Sequence, residues 1–217
     1  MKTISKLTTA TFVLLFFFSC SSNDDEKVAI NDIDPTNYII AGKMLNNHVA
    51  LVTFSSNNKA TIKTTDLNIE ADYTVDGDTV KIENYGYVKI QNNAITSFEN
   101  EELDFDQAHL LQKTPDNVLK DKYFMGPINV LSGAGFEQIF HIRFSASGEL
   151  YGYGETFSSA APNKEFELIS NVAGKYQQEG FSNVFYKLND KLICEVRTNQ
   201  FGNPIYFYSE ELVQQPQ

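Results

Sequence analysis

Ile69-Glu70-Ala71-Asp72-Tyr73-Thr74-Val75, then Asp76-Gly77-Asp78, then Thr79-Val80-Lys81-Ile82-Glu83: the chain alternates apolar and polar side chains on both sides of a turn triplet. Period-two alternation around a short Gly-containing turn marks a β-hairpin with one face buried. Asp76-Gly77-Asp78 accordingly reads as a type I′ turn rather than as a pair of ligands. Working outward, the same pattern gives strands at Tyr38 to Lys43, His48 to Phe54, Ala60 to Thr64, Tyr87 to Gln91, Ala94 to Phe98 and Phe105 to Gln112, with Ser55-Ser56-Asn57-Asn58 and Asn92-Asn93 as further turns. No long stretch carries a helical period. The expectation is an all-β protein built as an antiparallel meander, closed or nearly closed so that its edges are protected.

Thr114-Pro115-Asp116-Asn117 breaks the pattern, and a second series begins near Lys122. Phe54-Ser55-Ser56-Asn57 is echoed by Phe144-Ser145-Ala146-Ser147, and Val88-Lys89-Ile90-Gln91-Asn92 by Tyr186-Lys187-Leu188-Asn189-Asp190. Phe105 and Leu110-Leu111-Gln112 match Phe207 and Leu212-Val213-Gln214 at one constant offset. The sequence therefore predicts two tandem antiparallel meander repeats, residues 38–113 and 121–215, joined by a linker at 114–120 and forming small β-barrels or a β-sandwich. Each half resembles the lipocalin-like meanders of bacterial lipoproteins: a Gly-containing first strand, a Phe-Ser turn, an Asn- or Asp-rich hairpin and a closing strand with paired aliphatics. The resemblance implies a barrel or sandwich and carries no catalytic residues.

Lys2 and Lys6 precede an apolar core from Ala10 to Phe18, which stops at Ser19-Cys20. That is the layout of a secretory signal, and the core is about half of the roughly 20 residues a membrane span needs. A small residue before a cysteine at the end of such a core resembles the lipobox of bacterial lipoproteins, although Phe17 and Phe18 stand where the family favours Leu and a small or aliphatic residue. The resemblance implies cleavage after residue 19 and lipid on Cys20, whose acyl chains would hold the protein on a membrane without any other membrane element. Ser21 in place of an inner-membrane-retaining Asp implies the outer membrane. The acidic run Ser22 to Glu26 resembles a surface-export tag, so the expected location is lipid-anchored in the outer membrane, facing the periplasm or the cell surface. Residues 20–37 read as the tether.

Removal of residues 1–19 leaves 15 basic against 28 acidic residues, a net charge of −13. Nucleic acid is excluded as a partner, because phosphate binding needs a basic footprint. Two cysteines, one of them the lipid site, exclude a disulfide framework. In Leu192-Ile193-Cys194-Glu195-Val196-Arg197 the alternation puts Leu192, Cys194 and Val196 on one face, so Cys194 reads as a small buried hydrophobe.

His48, His109 and His141 are scattered without a neighbouring His or Cys, so no metal is expected. Glu99, Glu101, Glu102, Asp104 and Asp106 read as a solvated hairpin loop, since the EF-hand spacing is absent. No nucleophile elbow, phosphate loop or dinucleotide fingerprint occurs, and no cofactor is expected. One asymmetry stands out: residues 36–113 hold seven Phe and Tyr, and residues 118–217 hold 17. Any ligand is therefore sought on the second half, at Tyr151-Gly152-Tyr153-Gly154-Glu155-Thr156-Phe157. Alternation there predicts Tyr151, Tyr153, Glu155 and Phe157 on one face, with Gly152 and Gly154 permitting a bend or the close approach of another backbone. The expected function is a non-catalytic binding or interaction module. The alternatives are a lipocalin-like carrier of a small apolar ligand and a hydrolase using surface carboxylates, and any ligand of the second half is expected to be a small apolar molecule or a peptide.

Overall fold

The computed structural model describes residues 33–45, 48–99, 103, 105–131, 137–200 and 202–216. Cys20 and the signal segment lie outside the described residues, as do Glu101, Glu102 and Asp104 of the acidic cluster.

The first meander runs through β1 (Tyr38–Met44), β2 (Val49–Phe54), β3 (Lys59–Lys63), β4 (Asn68–Asp76), β5 (Thr79–Ile82), β6 (Gly86–Gln91), β7 (Ala94–Glu99) and β8 (Phe105–Gln112). Each strand pairs antiparallel with the next as far as β7, and β1 pairs again with β8. The open seam falls between β7 and β8, where Phe98 and Phe105 meet edge to face at 6.0 Å. Asn92 and Asn93 both take positive φ, as a type I′ turn requires. At Asp76-Gly77-Asp78 only Gly77 does, at 59°, so this turn is of the II′ kind and not the expected I′.

The second meander runs through β9 (Tyr123–Val130), β10 (Glu137–Phe144), β11 (Leu150–Gly154), β12 (Lys164–Glu165), β13 (Glu167–Ile169), β14 (Ala173–Gln178), β15 (Phe181–Leu188), β16 (Lys191–Gln200) and β17 (Asn203–Gln214). Here too the first strand pairs with both the second and the last. β12 pairs with β11 and β13 with β14, so the two edges of the nine-stranded sheet are joined through the single residue Phe166. The molecule is thus all-β, with two nearly closed antiparallel sheets forming barrel-like units, and no α-helix among the described residues.

A short turn closes the start of each barrel. Asp34 caps a single 3-10 turn (Pro35–Asn37) by accepting from the Thr36 amide at 3.0 Å; Pro35 is buried, and Ile33 packs on the first core. The tether therefore gives way to folded chain by Ile33. Asn117 accepts from the Leu119 amide at 2.9 Å, and Leu119 is fully buried in the second core. The segment 114–120, expected as a linker, thus belongs to the second barrel at its Leu119 end.

β1 and β2 are buried on both faces. Ile40, Ala50, Val52 and Phe54 point into the first barrel, while Ile39, Ala41, Val49 and Leu51 pack against Ala173, Val184, Tyr186 and Ile193 on the outside of the second. Continuous apolar runs such as Tyr38-Ile39-Ile40-Ala41 are the sequence mark of strands covered from two sides. Ile39, Leu51 and Val184 are fully buried, and each such side chain is worth about 1.5–3 kcal/mol.

One carboxylate lies in this apolar layer. Glu195 of β16 is fully buried and accepts from His48 Nδ1 at 2.7 Å, the Val49 amide at 2.6 Å and Thr65 Oγ1 at 2.7 Å, all three on the first barrel. Next to it, Arg197 pairs with Asp66 at 2.7 Å, and Tyr206 donates to Asp66 at 2.7 Å. Lys175, also buried, donates to the Leu67 carbonyl at 3.1 Å. Glu195, Arg197, Tyr206 and Lys175 of the second barrel each meet a partner on the first, so these contacts hold the two sheets in one register.

Candidate functional site

The interior of the second barrel is filled for most of its depth. Phe124, Phe144, Tyr151, Phe185, Leu192 and Cys194 are buried together and leave no through channel. Cys194 sits where alternation placed it, and burial pushes its thiol well above the ordinary value, so it is an inert packing group.

At the end away from Leu119 the filling stops one layer short. Ile128 on β9, Phe140 on β10, Tyr153 on β11, Phe181 on β15, Val196 on β16 and Phe207 on β17 surround a cup of about 330 Å³ at the barrel mouth. Gln138, Thr198 and Asn199 supply polar points around it. The cup falls in the size range of small-ligand sites, and barrel mouths are a recurrent place for them. Four of its nine lining residues are aromatic: Tyr153 stacks on Phe181 at 4.3 Å with ring planes 9° apart, and on Phe140 at 5.9 Å. Burial pushes the Tyr153 phenol up to about 12, with help from nearby Tyr176, so it remains a neutral donor at physiological pH. Lys164 Nζ lies 4.8 Å from the Tyr153 ring centroid, a cation–π contact. No carboxylate lines the cup, so it offers no acid–base pair for hydrolysis among its described lining residues.

Of the four residues read from the sequence, the structure brings two to this site. Tyr153 lines the cup, and Tyr151, fully buried and stacked on Tyr153 at 5.8 Å, lies in the layer beneath it. Glu155 and Phe157 do not share that face. β11 ends at Gly154, the alternation ends with it, and Glu155 is exposed. Phe157 is 49% exposed and packs outside the barrel on the Tyr123 ring at 5.2 Å and the Arg143 guanidinium at 3.8 Å. The two glycines do permit a close approach: a Cβ on Gly152 would strike the backbone of Ala160 and Ala161, and one on Gly154 would strike Ser159, because the loop after β11 folds back over it.

Phe140, Phe181 and Phe207 were not singled out by sequence. They come from strands far apart in the chain, and only the pairing of β9 with β17 brings them to one rim. A larger cleft of about 550 Å³ lies beside the first barrel, lined by residues 72–74, 81–84 and 86, but it is open and lined largely by polar and charged groups. Its one ring, Tyr73, is buried and donates to the Ser55 carbonyl at 2.9 Å.

Comparison of the chain with protein-family models, with curated proteins and with solved structures finds no match to any of them.

Proposed function

We propose that this is a lipid-anchored, extracytoplasmic, non-catalytic binding protein whose second barrel takes a small, flat, apolar ligand in the cup at its mouth. The observation that carries the reading is the Tyr153–Phe181 stack in a cup whose wall is mainly apolar. Parallel rings at the surface of a preformed cavity give stacking area at little entropic cost. The membrane part rests on Ser19-Cys20 at the end of a core too short to span a bilayer. Lipid on Cys20 supplies the anchor, and the acidic chain before Ile33 spaces the barrels from the surface.

Naphthalene serves as the probe of the cup. Tyr153→Ser is expected to weaken its binding about tenfold or more, at a smaller cost in stability than a fully buried ring would carry, because Tyr153 is only half-buried. Tyr151→Ser, by contrast, removes a fully buried ring and is expected to destabilise the fold by about 3–5 kcal/mol. Unchanged naphthalene affinity in folded Tyr153→Ser would refute the cup as the site. Cys20→Ala is expected to move the protein from the membrane fraction to the soluble one. Intact mass showing an unmodified Cys20 in the wild type would overturn the anchor.

A further inference from the structure

Directly beneath the cup the second barrel holds polar atoms without partners. Asn183 on β15 is fully buried, and neither its Oδ1 nor its Nδ2 makes a hydrogen bond; the Tyr151 hydroxyl is buried and unpaired as well. The Asn183 carboxamide lies beside that hydroxyl and favours its ionised form slightly, but the pair does not reach hydrogen-bond geometry.

Their position follows from strand register. Asn183 is two residues on from Phe181 along β15, so it faces the same way one layer deeper, and it pairs across the sheet with Val196, another wall of the cup. Tyr151 stands in the same relation to Tyr153 on β11. The stacked rings of Tyr153 and Phe181 are therefore the layer between the cup and three unpaired polar atoms: one amide oxygen, one amide nitrogen and one hydroxyl.

A buried carboxamide left unpaired is expensive, and such groups persist where something supplies the missing partners. A hydrophobe of Asn's size would fill an otherwise aromatic core without that penalty.

We propose that Asn183 and Tyr151 form a polar floor that recognises the head of the ligand, and that the ligand is an apolar ring system bearing one neutral group with both a donor and an acceptor, such as a primary amide or an undissociated carboxylic acid. This rests on the cup being the binding site. The ring system occupies the space among Phe140, Tyr153 and Phe181, and the head enters only when the Tyr153–Phe181 stack parts. The Asn183 Nδ2 donates to the head's carbonyl oxygen, and the Asn183 Oδ1 accepts from its N–H or O–H. The Tyr151 hydroxyl supplies one further donor or acceptor. Lys164 Nζ is engaged elsewhere, by the Tyr153 ring at 4.8 Å and by Asn163 Oδ1 at 2.9 Å.

The test compares naphthalene with 2-naphthamide, which have the same rings and differ in the head, against the full chain and two variants. The wild type is expected to bind 2-naphthamide about tenfold more tightly than naphthalene, about 1.4 kcal/mol. Asn183→Leu should abolish that preference while keeping naphthalene affinity, and Tyr151→Phe, which deletes one oxygen from a retained ring, should reduce it. Equal affinity of the wild type for the two probes, or a preference that survives in the variants, overturns the polar floor and leaves the cup standing. Failure of both probes to bind overturns the cup and the floor together.

Discussion

Glu195→Ala is expected to destabilise the protein by about 3–5 kcal/mol, the cost of breaking a buried ionic network by removing one member. The variant removes the acceptor shared by His48 Nδ1, the Val49 amide and Thr65 Oγ1 and leaves a cavity where the carboxylate was buried. Its consequence reaches both barrels, because the carboxylate comes from β16 and its donors from the first sheet and its loops. The effect has a pH signature. The hydrogen bond to Glu195 raises the pKa of His48, against the opposing effect of burial, and the charges of Glu195 and Asp66 add to the rise. A histidine raised in the folded state contributes its stability in full below its ordinary value of about 6.5 and loses it as pH climbs through the folded value. The difference in unfolding free energy between wild type and Glu195→Ala should therefore be larger at pH 6 than well above the raised value. Denaturant titration at the two pH values measures it. A loss below about 1 kcal/mol, or a difference that grows with pH, would contradict the network.

Gly126→Ala is expected to cost about 3 kcal/mol or more and to lower the melting temperature by roughly 10 °C. β9 and β17 pair across a register shift between Tyr208 and Val213, and there the closing strand bulges against the first. A Cβ on Gly126 would come within 2.8 Å of the Glu211 carbonyl carbon and closer still to its oxygen. These are backbone atoms, so a rotamer change gives no relief and the closing strand must move. Gly42 repeats the arrangement on the first barrel: its Cβ would fall 2.8 Å from Phe105 and 3.0 Å from the Ala108 Cα, where β8 shifts register against β1. Gly42→Ala should be comparably harmful. Gly202→Ala is the useful contrast, since nothing lies within 4 Å and only its positive φ of 82° opposes the change. Thermal unfolding of the three variants would expose the seam account as wrong if Gly126→Ala were no worse than Gly202→Ala.

Local alternation made the strands legible because each hairpin of the first half carries its own period and its own turn. Ile69 to Val75 and Thr79 to Glu83 fall within β4 and β5 to within a residue at each end. Alternation failed where a strand stopped: nothing in Tyr153-Gly154-Glu155-Thr156-Phe157 announces that β11 ends at Gly154, and Glu155 and Phe157 were misplaced for that reason. It failed again at Glu195. The pattern of β16 correctly sets Ile193, Glu195 and Arg197 opposite Leu192, Cys194 and Val196. Whether that outer face meets water or a second barrel depends on packing between halves of the chain, which no local period encodes. The walls of the cup share this limit. Tyr153 was legible from its own strand, whereas Phe140, Phe181 and Phe207 join it only through barrel closure.

The central claim is that the mouth of the second barrel, and no other surface, takes the ligand. Solution NMR of the full chain during a naphthalene titration tests it most directly. The account predicts saturable shifts at one site, concentrated at Ile128, Phe140, Tyr153, Phe181, Val196 and Phe207. Shifts centred on the first barrel or on exposed side chains such as Leu45 and Leu67, or non-saturating shifts spread over the whole surface, would contradict it.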